Sequence, residues 1–471
     1  MRIFNSISRE KEEFVPLEPG HVKIYVCGPT VYNFFHLGNA RPFITYDTLR
    51  RFLEYRGYQV TYVQNFTDID DRMIQQANSE GITIVELADR YIKEYFTDAD
   101  QLNIRRATHH PRATESMPMI IQLVETLMTK GFAYQTDDGV YFDVARMPDY
   151  GKLSRHNLED LQSGASERDC MEGGKHSSAD FALWKNKKEG EPSWPSPWGE
   201  GRPGWHIECS AMIKEYLGDT IDIHGGGQDL VFPHHENEIA QSESANGKPF
   251  VHYWMHNGFI NIDHEKMSKS TGNFFTVRDL TKQFDYLILR FFMLGGHYRM
   301  PINFSSDLLT AAQSGWTRIR TCLENLDFII EQAPTDAAND AAVSAVNDLN
   351  AAREQYKREF IEAMEDDLNT ADALAAVFEL VRAANTAATV SGLDRNSIQQ
   401  TSDLLRELLD VLGLSQKTGS SIPDEIIKLV EARTAAKAQR DFKLADDLRL
   451  EIQGKGYTVK DTPQGPQVSK S

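Results

Sequence analysis

The patterning of this chain predicts an α/β domain on a parallel sheet, followed by an all-helical bundle and a small C-terminal domain. Three observations predict it. Val22-Lys23-Ile24-Tyr25-Val26 and Tyr58-Gln59-Val60-Thr61-Tyr62-Val63-Gln64 are strand-like runs flanking a helical stretch with apolar positions Ile44, Leu49, Phe52 and Leu53. Strand–helix–strand in that order implies parallel strands joined by a crossover. From Leu308 to about Leu414 the apolar spacing is helical throughout. At 471 residues the chain exceeds what one core sustains, and about three domains are expected.

The elements follow in order. The first strand leads to Cys27 and Gly28-Pro29-Thr30, then to His36-Leu37-Gly38-Asn39 at the helix start, with Gly57 suited to cap its C-terminus. Asn65-Phe66-Thr67-Asp68-Ile69-Asp70-Asp71 follows the second strand at its carboxyl end, where open parallel sheets bind ligands. The arrangement is Rossmann-like. Residues 115–200 read as an insertion: a helical start (Ile120, Leu123, Val124, Leu127), a hairpin over 132–143, and a Gly/Pro/Ser/Trp-rich loop over 189–204. The second half of the fold has a short strand over 220–224, then Gly225-Gly226-Gly227, a further strand over 251–259, a lysine loop over 261–273 and a helix over 280–294. The expected division is therefore residues 1–310, 311–416 and 422–471, with a Ser/Gly-rich linker at 417–423.

Bulk composition bounds the function. Hydrophobic residues make up 41% and charged residues 25%, ordinary values for a soluble globular protein. No apolar run reaches membrane-spanning length, and the first residues lack the core of a signal peptide, so a cytoplasmic protein with no membrane partner is expected. A net charge of −19 argues against a general nucleic-acid binder, although a local basic track on an acidic body remains compatible with it. Arg433, Lys437 and Arg440 recur at helical spacing and offer either such a track or a solvated face.

Two segments carry the chemistry. Histidine and amide donors at a helix start, His36 and Asn39, can hold nucleotide phosphates, and Lys266-Met267-Ser268-Lys269-Ser270 can neutralise charge that builds on departing pyrophosphate. Taken singly, His36 is an ordinary helix N-terminal residue and Gly38 a packing glycine; the pairing gives them meaning. A second constellation is Cys27, Cys209, His234 and Glu238. The last two are four residues apart and share a helix face, and two thiolates, an imidazole and a carboxylate suit Zn²⁺. Periodicity alone leaves His235 and Glu236 as equal candidates, and all four cysteines of the chain, Cys170 and Cys322 included, also fit the role of small core residues.

The order and spacing of the two phosphate segments resemble the signature pair of class I aminoacyl-tRNA synthetases. The blocks 204–212 (Gly-Trp-His-Ile-Glu-Cys-Ser-Ala-Met), 222–229 (Asp-Ile-His-Gly-Gly-Gly-Gln-Asp) and 232–238 resemble those of the cysteinyl-tRNA synthetase family, as does Met364-Glu365-Asp366-Asp367-Leu368-Asn369-Thr370 at the start of the helical half. The resemblance covers nearly the whole chain. It implies a class I catalytic domain with a connective insertion, a helical anticodon-binding bundle, and a monomer that joins L-cysteine to tRNA(Cys) through a cysteinyl-adenylate made from ATP. It implies zinc bound by Cys27, Cys209, His234 and Glu238, which takes the substrate thiolate as a ligand; a serine hydroxyl is harder and far more basic, so no editing domain is needed. His36 and Asn39 are implied as ATP contacts, Lys266 and Lys269 as transition-state cations, and Gly28, Thr30, Thr67, Trp205, Gly227 and Asp229 as pocket lining. Mg²⁺ would accompany ATP, with nothing in the sequence to localise it.

Two departures and two rivals stand beside this. The first phosphate motif ends in Asn39 where many relatives carry histidine, and the terminal Gly465 is followed by Pro466-Gln467-Val468 instead of a basic residue and a tryptophan. A cysteine ligase of the mycothiol type shares the metal and phosphate motifs but lacks the full anticodon-binding tail, so residues 425–471 favour the synthetase. A catalytically silent tRNA-binding or zinc-scaffold relative is the other rival, and the presence of both phosphate motifs and all four metal donors weighs against it.

Overall fold

A computed structural model describes residues 1–156, 174–262, 265–266, 275–415, 424–462 and 465–470. The chain divides into two compact units, Met1–Ser306 with Met364–Asn369, and Asp307–Ala363 with Thr370–Ser471.

The first unit opens with an antiparallel hairpin, β1 (Arg2–Asn5) and β2 (Glu10–Glu13). Then come β3 (His21–Val26), α1 (Leu37–Tyr55), β4 (Gln59–Gln64), α2 (Asp71–Glu80), α3 (Ile84–Gln101) and α4 (Met117–Thr129). A four-stranded antiparallel sheet follows, ordered β5 (Ala133–Gln135), β6 (Gly139–Phe142), β7 (Phe181–Asn186) and β8 (Gly201–Pro203). The hairpin expected over 132–143 is β5–β6, whereas β8 lies inside the stretch read as a loop. A three-residue strand of Gly-Arg-Pro has no apolar alternation to betray it, and its pairing with Trp184, Lys185 and Asn186 alone defines it.

α5 (Trp205–Tyr216), β9 (Ile221–Gly227), α6 (Glu236–Asn246) and β10 (Val251–Asn257) complete the main sheet, which is wholly parallel with order β10-β9-β3-β4. β3 has its sequence successor β4 on one side and β9 on the other, so the strand order reverses at the β3/β9 boundary. Ligands of such sheets bind outside the carboxyl ends at that boundary, which is where Cys27 and Gly225–Gly227 lie. The three glycines continue β9. A Cβ on Gly225 would stand 2.4 Å from the Tyr46 ring and one on Gly226 2.8 Å from His235 Cε1, so protein packing by itself demands glycine at these two positions.

Beyond the sheet, β11 (Ile260–Ile262) pairs with β12 (Glu265–Lys266) on one side and β13 (Ile302–Phe304) on the other. The helix expected over 280–294 is two, α7 (Val277–Thr281) and α8 (Tyr286–Leu294), because Asp285 turns extended and caps α8 by accepting the Leu287 N–H. Buried Arg290 of α8 donates to Asp47 of α1 at 2.6 Å, and Arg51 joins it at 2.8 Å. Burial by itself would raise the Asp47 carboxyl, but these two guanidinium groups hold it below its usual range.

The second unit contains α9 (Ser306–Gln332) after its first residue, most of α10 (Asp340–Glu365), α11 (Thr370–Ala387) and α12 (Arg395–Val411), in keeping with the helical reading of 308–414. Cys322 is buried on α9, as a core cysteine should be; Cys170 and the 417–423 linker lie outside the described residues. α13 (Asp424–Ala438), α14 (Phe442–Gly454) and the antiparallel pair β14 (Tyr457–Thr462) and β15 (Gly465–Lys470) follow, with their own small cluster of Ile426, Val430, Ile452 and Val459. Arg433 is buried here and binds Asp461 through both Nη atoms at 2.9 Å, while Lys437 reaches the same carboxylate at 2.8 Å. These two cations are committed to a structural partner, so of the two readings offered, a basic track or a solvated face, the track is not formed by them.

Candidate active site

Cys27 leaves the end of β3, Cys209 lies on the second turn of α5, and His234 with Glu238 comes from the irregular turn Val231–His235 and the start of α6. All four are buried, and one donor atom from each lies within 4.8 Å of the others. The sulfurs are 3.8 Å apart, Cys27 Sγ is 3.6 Å from Glu238 Oε1, and His234 Nε2 is 3.1 Å from that same oxygen. The i,i+4 spacing has therefore brought imidazole and carboxylate together. Of the alternatives, Glu236 is turned away and accepts the backbone N–H groups of Gly151 at 3.0 Å and Ser154 at 2.7 Å. His235 stays close: its Nε2 is 3.5 Å from Cys27 Sγ, and Cys27, His224, His235 and Glu238 form a second set of donors within the same span.

Four further histidines surround the quartet. His224 Nε2 lies 2.9 Å from Glu238 Oε2, His206 Nδ1 3.0 Å from His234 Nδ1, and His256 Nε2 2.8 Å from His235 Nδ1. Such outer partners fix ligand tautomers and orientation. No periodicity announces His206, His224 and His256, since each comes from a different strand or helix.

The electrostatics suit donors to a cation. Burial raises the Cys27 thiol, whereas the hydrogen bond from Cys27 brings Cys209 down to about 6. Burial opposes ionisation of Glu238, but His224 and His234 outweigh it and hold the carboxyl at about 2. Burial likewise opposes protonation of His234, and Glu238 with Cys209 overcomes it to give about 10. Burial leaves His206 and His235 well below the usual imidazole range. Two soft sulfurs with one nitrogen and one oxygen, dry and mutually close, fit Zn²⁺.

Cys27 also borders a cavity of about 340 Å³. Its wall includes Gly28, Thr30, His36, Asn39, Trp205, Gly227 and Asp229. Trp205 packs on His234 with ring centroids 4.4 Å apart. Gly28 is obligatory, because a Cβ there would fall 1.6 Å from the Asn65 carbonyl oxygen. Thr67 departs from its expected place: it is buried behind this wall, its backbone paired with Pro29 and Val31 and its hydroxyl accepting from Asn65 Nδ2 at 3.4 Å. The strand-end turn points inward there, which residue order alone could not show. Tyr32 and Arg72 belong to the wall without having been singled out, the guanidinium lying 5.2 Å over the Tyr32 ring and 3.0 Å from Asp70.

His36 caps α1, its Nδ1 accepting the Asn39 N–H at 3.2 Å, which places the ring proton on Nε2. The backbone beside it pairs with the chain that returns from the lysine segment: Leu37 N–H donates to Phe275 O at 3.2 Å, and Val277 N–H to Phe35 O at 3.0 Å. At the other end, Lys266 sits on β12 beside β11, whose Ile260 lines the cavity. Both ends of the lysine segment are thus anchored at this cavity. Lys269 lies outside the described residues, as does the side chain of Lys266.

Residues 13–314 match the family model described as the class I (C) tRNA synthetase catalytic domain, and residues 359–416 match the DALR domain. Solved structures share the fold: a Mycobacterium tuberculosis methionyl-tRNA synthetase in complex with methionyl-adenylate (TM-score 0.62, 16% identity, 84% of this chain and 90% of that one) and an Agrobacterium radiobacter K84 LeuRS–tRNA–LeuAMS complex (TM-score 0.60, 13% identity, 86% of each). Full-length relatives are nearer in sequence. A cysteine–tRNA ligase of Caldicellulosiruptor saccharolyticus is 54% identical over all of both chains, and one of Clostridioides difficile is 52% identical over 99% of each. This chain belongs to the cysteine–tRNA ligase family of class I aminoacyl-tRNA synthetases. No helix among the described residues is long and apolar enough to cross a membrane.

Proposed function

We propose that the cavity joins L-cysteine and ATP into cysteinyl-adenylate, and that tRNA(Cys) then takes the cysteinyl group. The observation that carries this is the double membership of Cys27. It belongs to the thiol-rich quartet and to the wall of the cavity that also holds His36 and Asn39. A substrate side chain reaching the quartet would leave its carboxylate in the same cavity as the phosphate motifs.

In the first step the cysteine carboxylate oxygen attacks the α-phosphorus of ATP, and the bond to the bridging oxygen breaks to release pyrophosphate. His36 offers its Nε2–H, and Asn39 its amide, to phosphate oxygens. Lys266 and Lys269 supply charge against the departing pyrophosphate, with Mg²⁺ accompanying the nucleotide. Asp229 offers a carboxylate to the substrate ammonium, and Trp205 closes over the substrate. Zinc held by Cys27, Cys209, His234 and Glu238 would, when bound, take the substrate thiolate as a soft ligand that serine cannot supply. In the second step the 2′-hydroxyl of the terminal tRNA ribose attacks the adenylate carbonyl and AMP leaves. Most of the contribution from the protein is positioning and charge stabilisation. Transfer to an amino sugar is the alternative acceptor reaction; full-length identity to cysteine–tRNA ligases, through α13, α14 and the terminal strand pair, supports tRNA instead.

The test is cysteine-dependent ATP–pyrophosphate exchange with serine as competitor, before and after chelation. Exchange with cysteine alone, lost on zinc removal and restored by zinc, is expected. Exchange that survives chelation or accepts serine comparably would overturn the selectivity argument.

A further inference from the structure

Asp367 is fully buried in the first unit, although the segments on both sides of Met364–Asn369 belong to the second. It and Leu368 adopt left-handed backbone, φ 61° and 52°, which persists in non-glycine residues only when the surroundings enforce it. What enforces it is a converging set of donors. Asp367 Oδ1 accepts the Phe4 N–H at 2.8 Å and the Tyr298 hydroxyl at 2.7 Å, and Oδ2 accepts Arg299 Nε at 2.7 Å. Asp366 beside it receives Lys11 at 2.9 Å and Arg2 at 3.2 Å.

The turn held by Asp367 is also a support of the cavity wall. Tyr298 O accepts the Gly258 N–H at 2.9 Å, and Phe259 O accepts the Ile302 N–H at 3.0 Å. Arg41, buried on α1 one turn after Gly38, donates to Gly258 O and Phe259 O at 2.7 Å each, to His297 O at 3.2 Å, and to Met300 O. Gly258 and Phe259 line the cavity, and β13 directly downstream pairs with β11 next to the lysine strand.

We infer that Asp367 is a positioning residue for the ATP end of the cavity: by fixing Tyr298 and Arg299 it holds the turn that Arg41, Gly258 and Phe259 share. The role rests on the reading of this cavity as the site of adenylate formation. Asp367 touches no substrate in this account and acts through the 297–300 turn. Its loss therefore displaces the nucleotide wall and leaves the thiol end, built on other elements, in place.

The experiment is steady-state ATP–pyrophosphate exchange on the full-length protein, with ATP and cysteine varied separately. D367N, isosteric but uncharged, is expected to raise the KM for ATP about fivefold while the KM for cysteine stays within about a factor of two. Y298F removes one hydroxyl, gives a smaller shift of the same kind, and decides the matter if D367N does not fold. R41K combined with D367N should shift KM for ATP by less than the product of the single effects, because both act on one turn. Unchanged KM for ATP in a folded variant, equal rises for both substrates, or multiplicative effects in the double variant would overturn the inference. Wild-type protein without cysteine-dependent exchange would instead remove the functional reading beneath it.

Discussion

The Nδ1 atoms of His206 and His234 face each other across 3.0 Å, while His234 Nε2 points at Glu238 Oε1 3.1 Å away. Across such a pair one nitrogen donates and the other accepts. For Nε2 of His234 to serve a metal, its Nδ1 must carry the proton, and His206, kept neutral by burial, must accept it.

Replacing His206 by Leu should therefore weaken binding of the proposed zinc by about 10- to 100-fold, because the His234 ring loses its orienting partner. His206→Asn keeps an acceptor near the same place and should lose much less. Competition with a chromophoric chelator measures both, and equal losses in the two variants would contradict the tautomer argument.

His36 caps α1 and, in the proposed reaction, donates to phosphate, and two substitutions separate the two roles. His36→Asn retains a capping acceptor for the Asn39 N–H but lacks the Nε2 donor. It should hold stability within about 0.5 kcal/mol while the exchange rate constant falls about 100-fold. His36→Ala should lose the same activity and about 1 kcal/mol of stability as well. Denaturant midpoints and exchange kinetics read the two separately.

His110 gives a pH dependence of known sign. Its Nε2 accepts the Ala107 N–H at 3.0 Å and its Nδ1 donates to Gln64 O at 3.0 Å, so the ring has no site for a second proton. Burial lowers it from 6.5 to about 4. Between those values the unfolded chain binds the proton and the folded chain does not, so this group makes stability fall as pH drops from 6.5 towards 4 and adds no further change below that. The loss is about 3 kcal/mol. His110→Asn should show a shallower fall in urea midpoint between pH 7 and pH 5 than the wild type, and parallel curves would refute the assignment.

Arg433 should behave as a structural ion. Arg433→Gln leaves Asp461 with Lys437 alone and should cost about 2 kcal/mol in the C-terminal segment. It should leave the slope of log affinity for tRNA against log salt unchanged, since a side chain tied to Asp461 releases no counterions from phosphate. A slope shallower by about one unit would return Arg433 to the RNA-facing surface.

What could be read beforehand depended on whether the signal was local. The strands ending at Gln64 and Cys27, the helix after His36 and the long helical half each write their period into consecutive residues. The donor quartet was reachable because Cys27, Cys209, His234 and Glu238 are unusual donors, and the fold does bring them together. The histidines behind them, the inward turn of Thr67, the three-residue strand Gly201–Pro203 and the seat of Asp367 are tertiary facts. Each depends on a partner tens or hundreds of residues away, and no window of sequence contains both halves. The need for glycine at 225 and 226 is of the same kind, set by the packing of Tyr46 and His235 against β9.

The interleaving of the two units bears on how the chain is made and how it could be rearranged. Emerging from the ribosome, the N-terminal unit has all its described strands once Phe304 is out, yet Phe4, Tyr298 and Arg299 still wait for a carboxylate encoded beyond all of α9 and α10. Folding of the catalytic half cannot finish before α9 and α10 of the helical half have been synthesised. A gene fragment ending near residue 306 would encode a surface with a six-residue piece missing, and a different helical appendage could be grafted on only if it carried its own copy of that peptide.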